Sequence, residues 1–364
     1  MLNIFIGAGA SFDFGMPLVK SFTHTFKENI IKRLDTNLFN FDNNISIKNQ
    51  YQKIIEREDL HYEEMIKELE LWMLAETGVH HQVVSGLVSQ TIECVHLLLL
   101  EIQTNSFGLM SKKFNECNGI NNILEKNGLL NIFSLNHDVM TEELCNYYKI
   151  QYKDGFRKNA AHKYNQVGEF KVATEKEFTE NKLDFYSPDD VGINIFKLHG
   201  ALDIFAIEDK EKYLKIDSAN FGDNLWLMNK IEKHSRDFCT RSCMGRGINE
   251  LFVEDDSGEL QFLRRSLLSG GHKFTGRFEQ IAPIGLFDEF KNRISDSREL
   301  IVIGYGFGDE HVNKIILDWI EKFEEAKIII CDPFRDNPPS FAAAFKEKIE
   351  IRKLGFIGFL NSYI

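Results

Sequence analysis

The sequence predicts a doubly wound α/β fold: a Rossmann-like parallel sheet with a helical insertion. Three observations predict it. Short, uninterrupted apolar runs recur along the chain, as strands buried on both faces require. Each run stops abruptly at glycine, asparagine, histidine or aspartate. Helical periodicity follows several of these stops, and that alternation builds a parallel sheet between helix layers.

Leu2 to Ile6 is the first run, followed at once by Gly7-Ala8-Gly9-Ala10-Ser11. Pro17 then opens a helix through about Leu34, a favoured place for proline. Residues 35 to 49, rich in Asn and Asp, read as a loop. Helical patterns dominate from about 50 to 127. Tyr62, Met65, Ile66, Leu69 and Trp72 recur at helical spacing, as do Val84, Leu87, Val88, Ile92, Val95, Leu98 and Leu99. Residues 36 to 127 are therefore expected to form a helical insertion with core or subunit contacts. Leu129 to Leu135 is the next strand, ended by Asn136-His137-Asp138, with a helix from near Val139. Ile193 to Leu198 is another, ended by His199 and Gly200. Residues 205 to 280 mix polarities and read as a variable insertion of loops, short strands and one helix near 224 to 237. Leu300 to Ile303 is a strand that turns at Gly304, Tyr305, Gly306 and Phe307. Asp309 is a good N-cap for the helix carrying Val312, Ile315, Ile316, Trp319 and Ile320. Ala326 to Cys331 is a further strand, ended by Asp332 and Pro333. No internal repeat or low-complexity linker appears, so residues 1 to 364 read as one domain bearing the two insertions.

Composition narrows the function classes. A hydrophobic fraction of 43% over 364 residues is globular and sufficient for a large core. The formal net charge of -12 argues against direct nucleic-acid binding, which needs clustered Lys and Arg. The longest apolar run, near Leu97 to Leu100, lies between His96 and Glu101 and falls short of the ~20 residues of a membrane span. Met1 to Gly7 lacks a basic region and reads as a strand, not a signal peptide. Of six cysteines only Cys239 and Cys243 are close together. Zinc would need two more ligands, for which His234 and His272 are the candidates, so no metal is expected. Free thiols fit a cytoplasmic protein.

In an open α/β sheet, ligands bind beyond the carboxyl ends of the strands. Four such ends carry candidate residues. At the first, Gly7, Ala8, Gly9 and Ser11 are small enough for a pyrophosphate to approach the backbone, although Phe12 departs from the G-x-G-x-x-G spacing. At the second, Asn136 can hydrogen-bond a ribose hydroxyl or a water, and Asp138 can cap the next helix. At the third, His199 has an unperturbed pKa suited to proton transfer near neutrality, with Gly200 leaving room beside it. At the fourth, Gly304, Tyr305 and Gly306 form a second small turn where an adenosine can lie. Asp332 is either an acceptor for ribose hydroxyls or a turn residue before Pro333.

The ordered set GAGAS (with Gly15 and Pro17 behind it), LNHD, KLHG and IGYGFGDEHVNKII resembles the sirtuin-like (SIR2-like) family. The acidic stretch EDLHYEEMIKELE is similar to a feature of its bacterial branch. The resemblance spans nearly the whole chain, with residues 205 to 280 adding little. Protein deacylases of the family carry a four-cysteine zinc module and an Asp-Phe-Arg signature. This chain lacks the paired cysteines, and Pro17 runs into Leu18-Val19-Lys20. Both absences resemble the bacterial SIR2-like NAD hydrolases of anti-phage defence systems. The resemblance implies that Asn136 and His199 are the catalytic pair. It implies that Gly7, Ala8, Gly9, Ser11, Asp138, Gly304, Tyr305, Gly306 and Asp332 hold NAD. Two positions depart from the family: His137 stands where Tyr is common, and Gly306 where Ser is common.

The implied reaction cleaves the nicotinamide–ribose bond to give nicotinamide and ADP-ribose, or a cyclised ADP-ribose if a substrate nitrogen outcompetes water. Positive charge develops on the ribose as nicotinamide leaves. Asn136 would hold the ribose and the attacking water. His199 would take a proton from water or a ribose hydroxyl. Asp138 would orient the Asn136 turn, as a cap or by meeting the amide. The acid at Asp332 favours NAD over NADP. Unregulated NAD loss kills a cell, so the resemblance implies a separately encoded activator, such as a HerA-like hexameric ATPase or an Argonaute-like sensor. A homo-oligomer built through residues 60 to 103 is also expected. The rival expectations are a non-catalytic NAD or ADP-ribose sensor and an NAD-dependent deacylase.

Overall fold

Why the apolar runs become strands is visible in their side-chain alternation. Along Leu2–Ile6, Leu2, Ile4 and Ile6 enter one buried cluster and Phe5 enters another. Ile132 and Phe133 divide in the same way, as do Ile195 and Phe196. A period of two with both faces apolar is what a central parallel strand needs. The computed structural model describes every residue except 35, 37, 159–163, 208–210, 219, 244, 246, 268–284 and 363–364. His272 and the end of the expected variable insertion lie outside the described residues.

In chain order, β1 (Leu2–Ile6) leads through α1 (Ala8–Phe12), α2 (Val19–Leu34), α3 (Ile45–Glu56), α4 (Tyr62–Ala75), α5 (Gly78–Phe114) and α6 (Gly119–Asn127) to β2 (Leu129–Ser134). Then come α7 (Met140–Tyr148), β3 (Tyr152–Lys153), β4 (Arg157–Lys158), β5 (Phe170–Thr174), α8 (Glu175–Thr179) and β6 (Gly192–Lys197). The chain continues with β7 (Gly200–Ile207), β8 (Lys212–Ile216), α9 (Asp223–Ser242), β9 (Glu250–Glu254) and β10 (Leu260–Leu267). It closes with α10 (Leu286–Ser295), β11 (Glu299–Ile303), α11 (Glu310–Lys322), β12 (Lys327–Cys331), a 3-10 stretch over Ser340–Lys348, β13 (Ile349–Arg352) and α12 (Phe356–Ser362).

The first sheet is parallel, in the order β13-β12-β11-β1-β2-β6-β3. Apart from edge strand β3, this is the 3-2-1-4-5-6 winding of a doubly wound fold, and the order reverses at β1. Its register is reinforced by a buried ladder. Asn131 donates to Asn3 at 2.9 Å and Asn194 donates to Asn131 at 3.0 Å, each pair in register across neighbouring strands. A one-residue slip would strand these amides without partners.

Three expectations need correction. Residues 45–49 are helical, not loop: Asn44 accepts from the Ser46 and Ile47 amides at 3.0 and 3.2 Å, so the Asn-rich stretch hides an N-cap. The second helix begins at Val19, two residues beyond Pro17, after the short α1. Residues 205 to 267 carry the expected helix, as α9, but their strands do not stand alone as an insertion. β4, β5, β8, β7, β10 and β9 form a six-stranded antiparallel sheet that already begins at Arg157. Its β7–β10 pairing spans some sixty intervening residues, and a local pattern cannot reveal that.

The helices of the insertion, with α2, bury a third cluster from Phe22 to Leu98, while α6 and the end of α5 pack toward the sheet. Among the described residues, α5 is long and apolar enough to cross a membrane, and 56% of its apolar window is buried inside the protein. Glu93 and His96 divide its apolar sequence, so no uninterrupted apolar run of membrane-spanning length marks this helix. Both are buried: Glu93 pairs with Arg265 at 2.8 Å, and His96 lies 3.9 Å from Glu232.

Candidate active site

One row of residues crosses five strands at the carboxyl edge: Cys331, Ile303, Ile6, Ser134 and Lys197 are neighbours in register. Every expected site residue lies just beyond this row. Asp332, Gly304 and Gly7 follow it by one residue. Asn136 and His199 follow it by two, on adjacent strands.

Asn136 is buried at 8% exposure. Its Nδ2 donates to the Gly7 carbonyl at 2.9 Å and to Ser11 Oγ at 3.0 Å. Both amide hydrogens are thus committed, and Oδ1 is the atom it can offer to a ribose hydroxyl or a water. Ser134 Oγ accepts from the Asn136 backbone amide at 3.1 Å and so shapes the turn. Asp138 is buried and accepts from the Met140 amide at 3.0 Å. It also bonds Ser11. Burial raises its carboxyl pKa, against the pull of Lys197. Asn136 and Asp138 therefore meet on Ser11.

His199 is also buried, and its Nε2 lies 3.1 Å from Asp309 Oδ2. The other carboxylate oxygen, Oδ1, caps α11 by accepting from His311 at 3.0 Å and Val312 at 3.2 Å. Asp309, read from the sequence only as a helix cap, thus holds helix and imidazole together. The His137 ring stands 6.2 Å from the His199 ring, and the Phe287 ring 6.0 Å. Gly200 makes room, but for the protein: at φ +75° its backbone suits glycine, and a Cβ there would meet the Ser266 carbonyl oxygen at 2.4 Å.

The two glycine turns interlock. Gly9 donates to the Gly304 carbonyl at 2.8 Å, Gly7 to Ile303 at 3.1 Å and Ala10 to Gly7 at 2.9 Å. These three amides are spent on the turn, so its small side chains, not these amides, set how closely a phosphate approaches. Tyr305 turns its ring into the core, 5.1 Å from Phe5. Its hydroxyl donates to Asn313 Oδ1 at 3.1 Å and accepts from the Asp309 amide at 3.1 Å. It supports Asp309 and does not line the edge, while Gly306 is exposed. Asp332 accepts from Phe334 at 2.9 Å and borders a hollow of about 420 Å³ with Phe334, Arg335 and Ser340. The Arg335 guanidinium also lies 4.9 Å over the Phe307 ring. Asp332 is thus a turn residue, and it also borders this hollow. Ala8 is half-buried at the start of α1.

Sequence reasoning missed Lys197 as anything but a motif letter. Its signal was a lysine inside an otherwise apolar strand, which calls for a buried partner. Among the described residues no group of three His, Cys, Asp or Glu side chains could hold a metal ion. Cys239 and Cys243 are free thiols, half-buried and exposed.

No family model and no curated protein matches the chain. Among solved structures it is similar to a sirtuin studied for the basis of substrate affinity, at 13% identity and TM-score 0.42, covering 99% of this chain and 92% of that one. It is similar to a Sir2 homologue in complex with NAD, at 14% identity and TM-score 0.42, covering 99% and 85%. Sir2Tm bound to a propionylated peptide follows at 12% identity and TM-score 0.38, covering 99% and 90%.

Proposed function

We propose that this chain is an NAD hydrolase that cleaves the nicotinamide–ribose bond to give nicotinamide and ADP-ribose. The observation that carries the reading is the convergence, on the switch-point edge of the sheet, of a pinned carboxamide and a carboxylate-backed imidazole. A pure binding site does not need that pair. Departure of nicotinamide leaves positive charge on the ribose. Asn136 Oδ1 accepts from a ribose hydroxyl or from the incoming water and orients it. Positioning of this kind can supply several kcal/mol. His199 removes the proton as the new C–O bond forms, and Asp309 stabilises the imidazolium that results. The Gly7 to Ser11 turn takes the pyrophosphate. The adenosine half lies toward Gly304, Gly306 and Asp332. The sequence motifs alone support the finer reading: a cytoplasmic effector of an anti-phage system, released by a separately encoded partner. The apolar stripes of residues 60 to 103 are spent on the third buried cluster, so self-association through these helices would use the exposed Leu71, Leu74 and Val79.

The test is incubation with NAD, with nicotinamide and ADP-ribose followed by chromatography, alone and with the co-encoded partner. Asn136→Ala and His199→Ala should each lower turnover by about 10²-fold or more while remaining folded. Full activity in both variants removes the site assignment. NAD binding without turnover under either condition replaces hydrolysis by a binding-only sensor.

A further inference from the structure

Behind the loop that carries Asn136, four charged side chains are packed away from solvent. Lys197 comes from β6, Glu142 from α7, Asp203 from β7 and Lys215 from β8, and none exceeds 2% side-chain exposure. Lys215 Nζ lies 3.0 Å from Glu142 Oε1 and 2.9 Å from Asp203 Oδ2. Lys197 Nζ lies 3.3 Å from Glu142 Oε2. Two cations thus face two carboxylates. Burial alone would raise Glu142, but Lys197 and Lys215 outweigh it and hold its pKa down to about 2. Breaking such a cluster on one side leaves a buried charge uncompensated, which is strongly destabilising.

Lys197 does more than balance charge. Its ammonium donates to the backbone carbonyl of Asn136 at 3.4 Å and to that of Asp138. An apolar side chain could leave the cluster balanced if Glu142 were also neutral, but it has no N–H to donate to those two carbonyls. They sit at the two ends of the tripeptide whose side chains reach the site. Resting on the reading of Asn136 as the group that holds ribose and water, we propose that Lys197 is a positioning residue, clamping the Asn136–Asp138 backbone and thereby aiming the Asn136 carboxamide.

The charge-balancing and clamping roles can be separated. Lys197→Met should lower both Tm and kcat. Adding Glu142→Gln restores neutrality, so Lys197→Met/Glu142→Gln should regain at least half of the lost Tm. Its kcat for NAD should stay about 10²-fold low, because the carbonyls still lack their donor. Glu142→Gln alone unbalances the charges but keeps the clamp, so it should lose Tm with kcat within about threefold of the parent protein. Recovery of kcat together with Tm in the double variant overturns the proposal. So does a kcat loss in Glu142→Gln matching that of Lys197→Met, and that comparison stands even if the double variant does not fold. If the parent protein turns over no NAD with or without its partner, the hydrolase reading fails by itself. The clamp is then read from crystal structures of Glu142→Gln and the double variant. The 2.9 Å bond from Asn136 Nδ2 to Gly7 should persist in the first and break in the second, and its persistence in both overturns the clamp.

Discussion

At the scale of single residues, Asp309 is the side chain whose two oxygens do separable things. Oδ1 caps α11, and Oδ2 faces His199 at 3.1 Å. Asparagine caps as well as aspartate but carries no charge. Asp309→Asn should therefore keep Tm close to the parent value while kcat falls by about 10²-fold or more, because the imidazolium formed at His199 loses its carboxylate. Asp309→Ala should lose the same activity and about 1 kcal/mol of stability besides. Equal activity of the parent and Asp309→Asn would reduce Asp309 to a cap. The sequence made the cap legible, because D-x-x before an apolar helical stripe is a local pattern. The contact to His199 was not legible, since it joins residues 110 positions apart. Asn136 and His199 themselves were legible because strand ends announce themselves by where apolar runs stop. The partners of Asn136 were half legible: Ser11 was expected at the edge, but as a phosphate neighbour and not as the acceptor of an amide hydrogen.

At the scale of elements, the first and fourth strand turns hold each other. Gly304 has φ +61°, and a Cβ there would lie 2.3 Å from the Ala10 nitrogen and 2.4 Å from the Gly9 carbonyl carbon. No side chain can move aside, because the obstruction is backbone. Gly306, two residues on, has nothing within 4 Å of a Cβ and no left-handed backbone. Gly304→Ala should cost roughly 1–3 kcal/mol and loosen the Gly7 to Ser11 turn, whereas Gly306→Ala should stay within about 0.5 kcal/mol of the parent. Thermal melts of the two variants check this, and equal Tm values would mean that the turns do not interlock in solution. The sequence presented these glycines alike, as small residues beside a ligand. Their division of labour depends on which neighbour backbone lies opposite, and only the sheet order β11-β1 supplies that. The asparagine ladder of Asn3, Asn131 and Asn194 was hidden for a related reason: each amide interrupts an apolar run singly, and its meaning lies in the register between strands.

At the scale of the whole molecule, the first sheet and the antiparallel sheet are joined at buried charge, and pH acts on that joint. Glu143 on α7 accepts from the Gly222 amide at 2.7 Å, just before α9. Burial pushes its pKa up to about 8. The Gly222 bond opposes this, and the neighbouring carboxylates Glu142, Asp203 and Asp223 add to it. The unfolded chain releases this proton near pH 4.5 and the folded chain near 8, so between those values the folded state binds the extra proton. Stability from this group is then greatest below about pH 4.5, falls as pH rises, and reaches its full penalty above about 8. Glutamine preserves the acceptor for Gly222 and cannot ionise. Glu143→Gln should therefore melt above the parent protein at pH 9, by an amount on the order of a few kcal/mol, with the gap closing toward pH 5. Other raised carboxyls, Asp138 and Asp203 among them, tilt both proteins in the same direction, so the difference between the two melting curves isolates Glu143. Parallel curves from pH 5 to pH 9 would show that water reaches this carboxyl and that the contact between α7 and the start of α9 is open there. A gap that widens with pH would show the joint dry, with α7 held against the start of α9 and the Asn136 loop braced from behind by the same helix that carries Glu142.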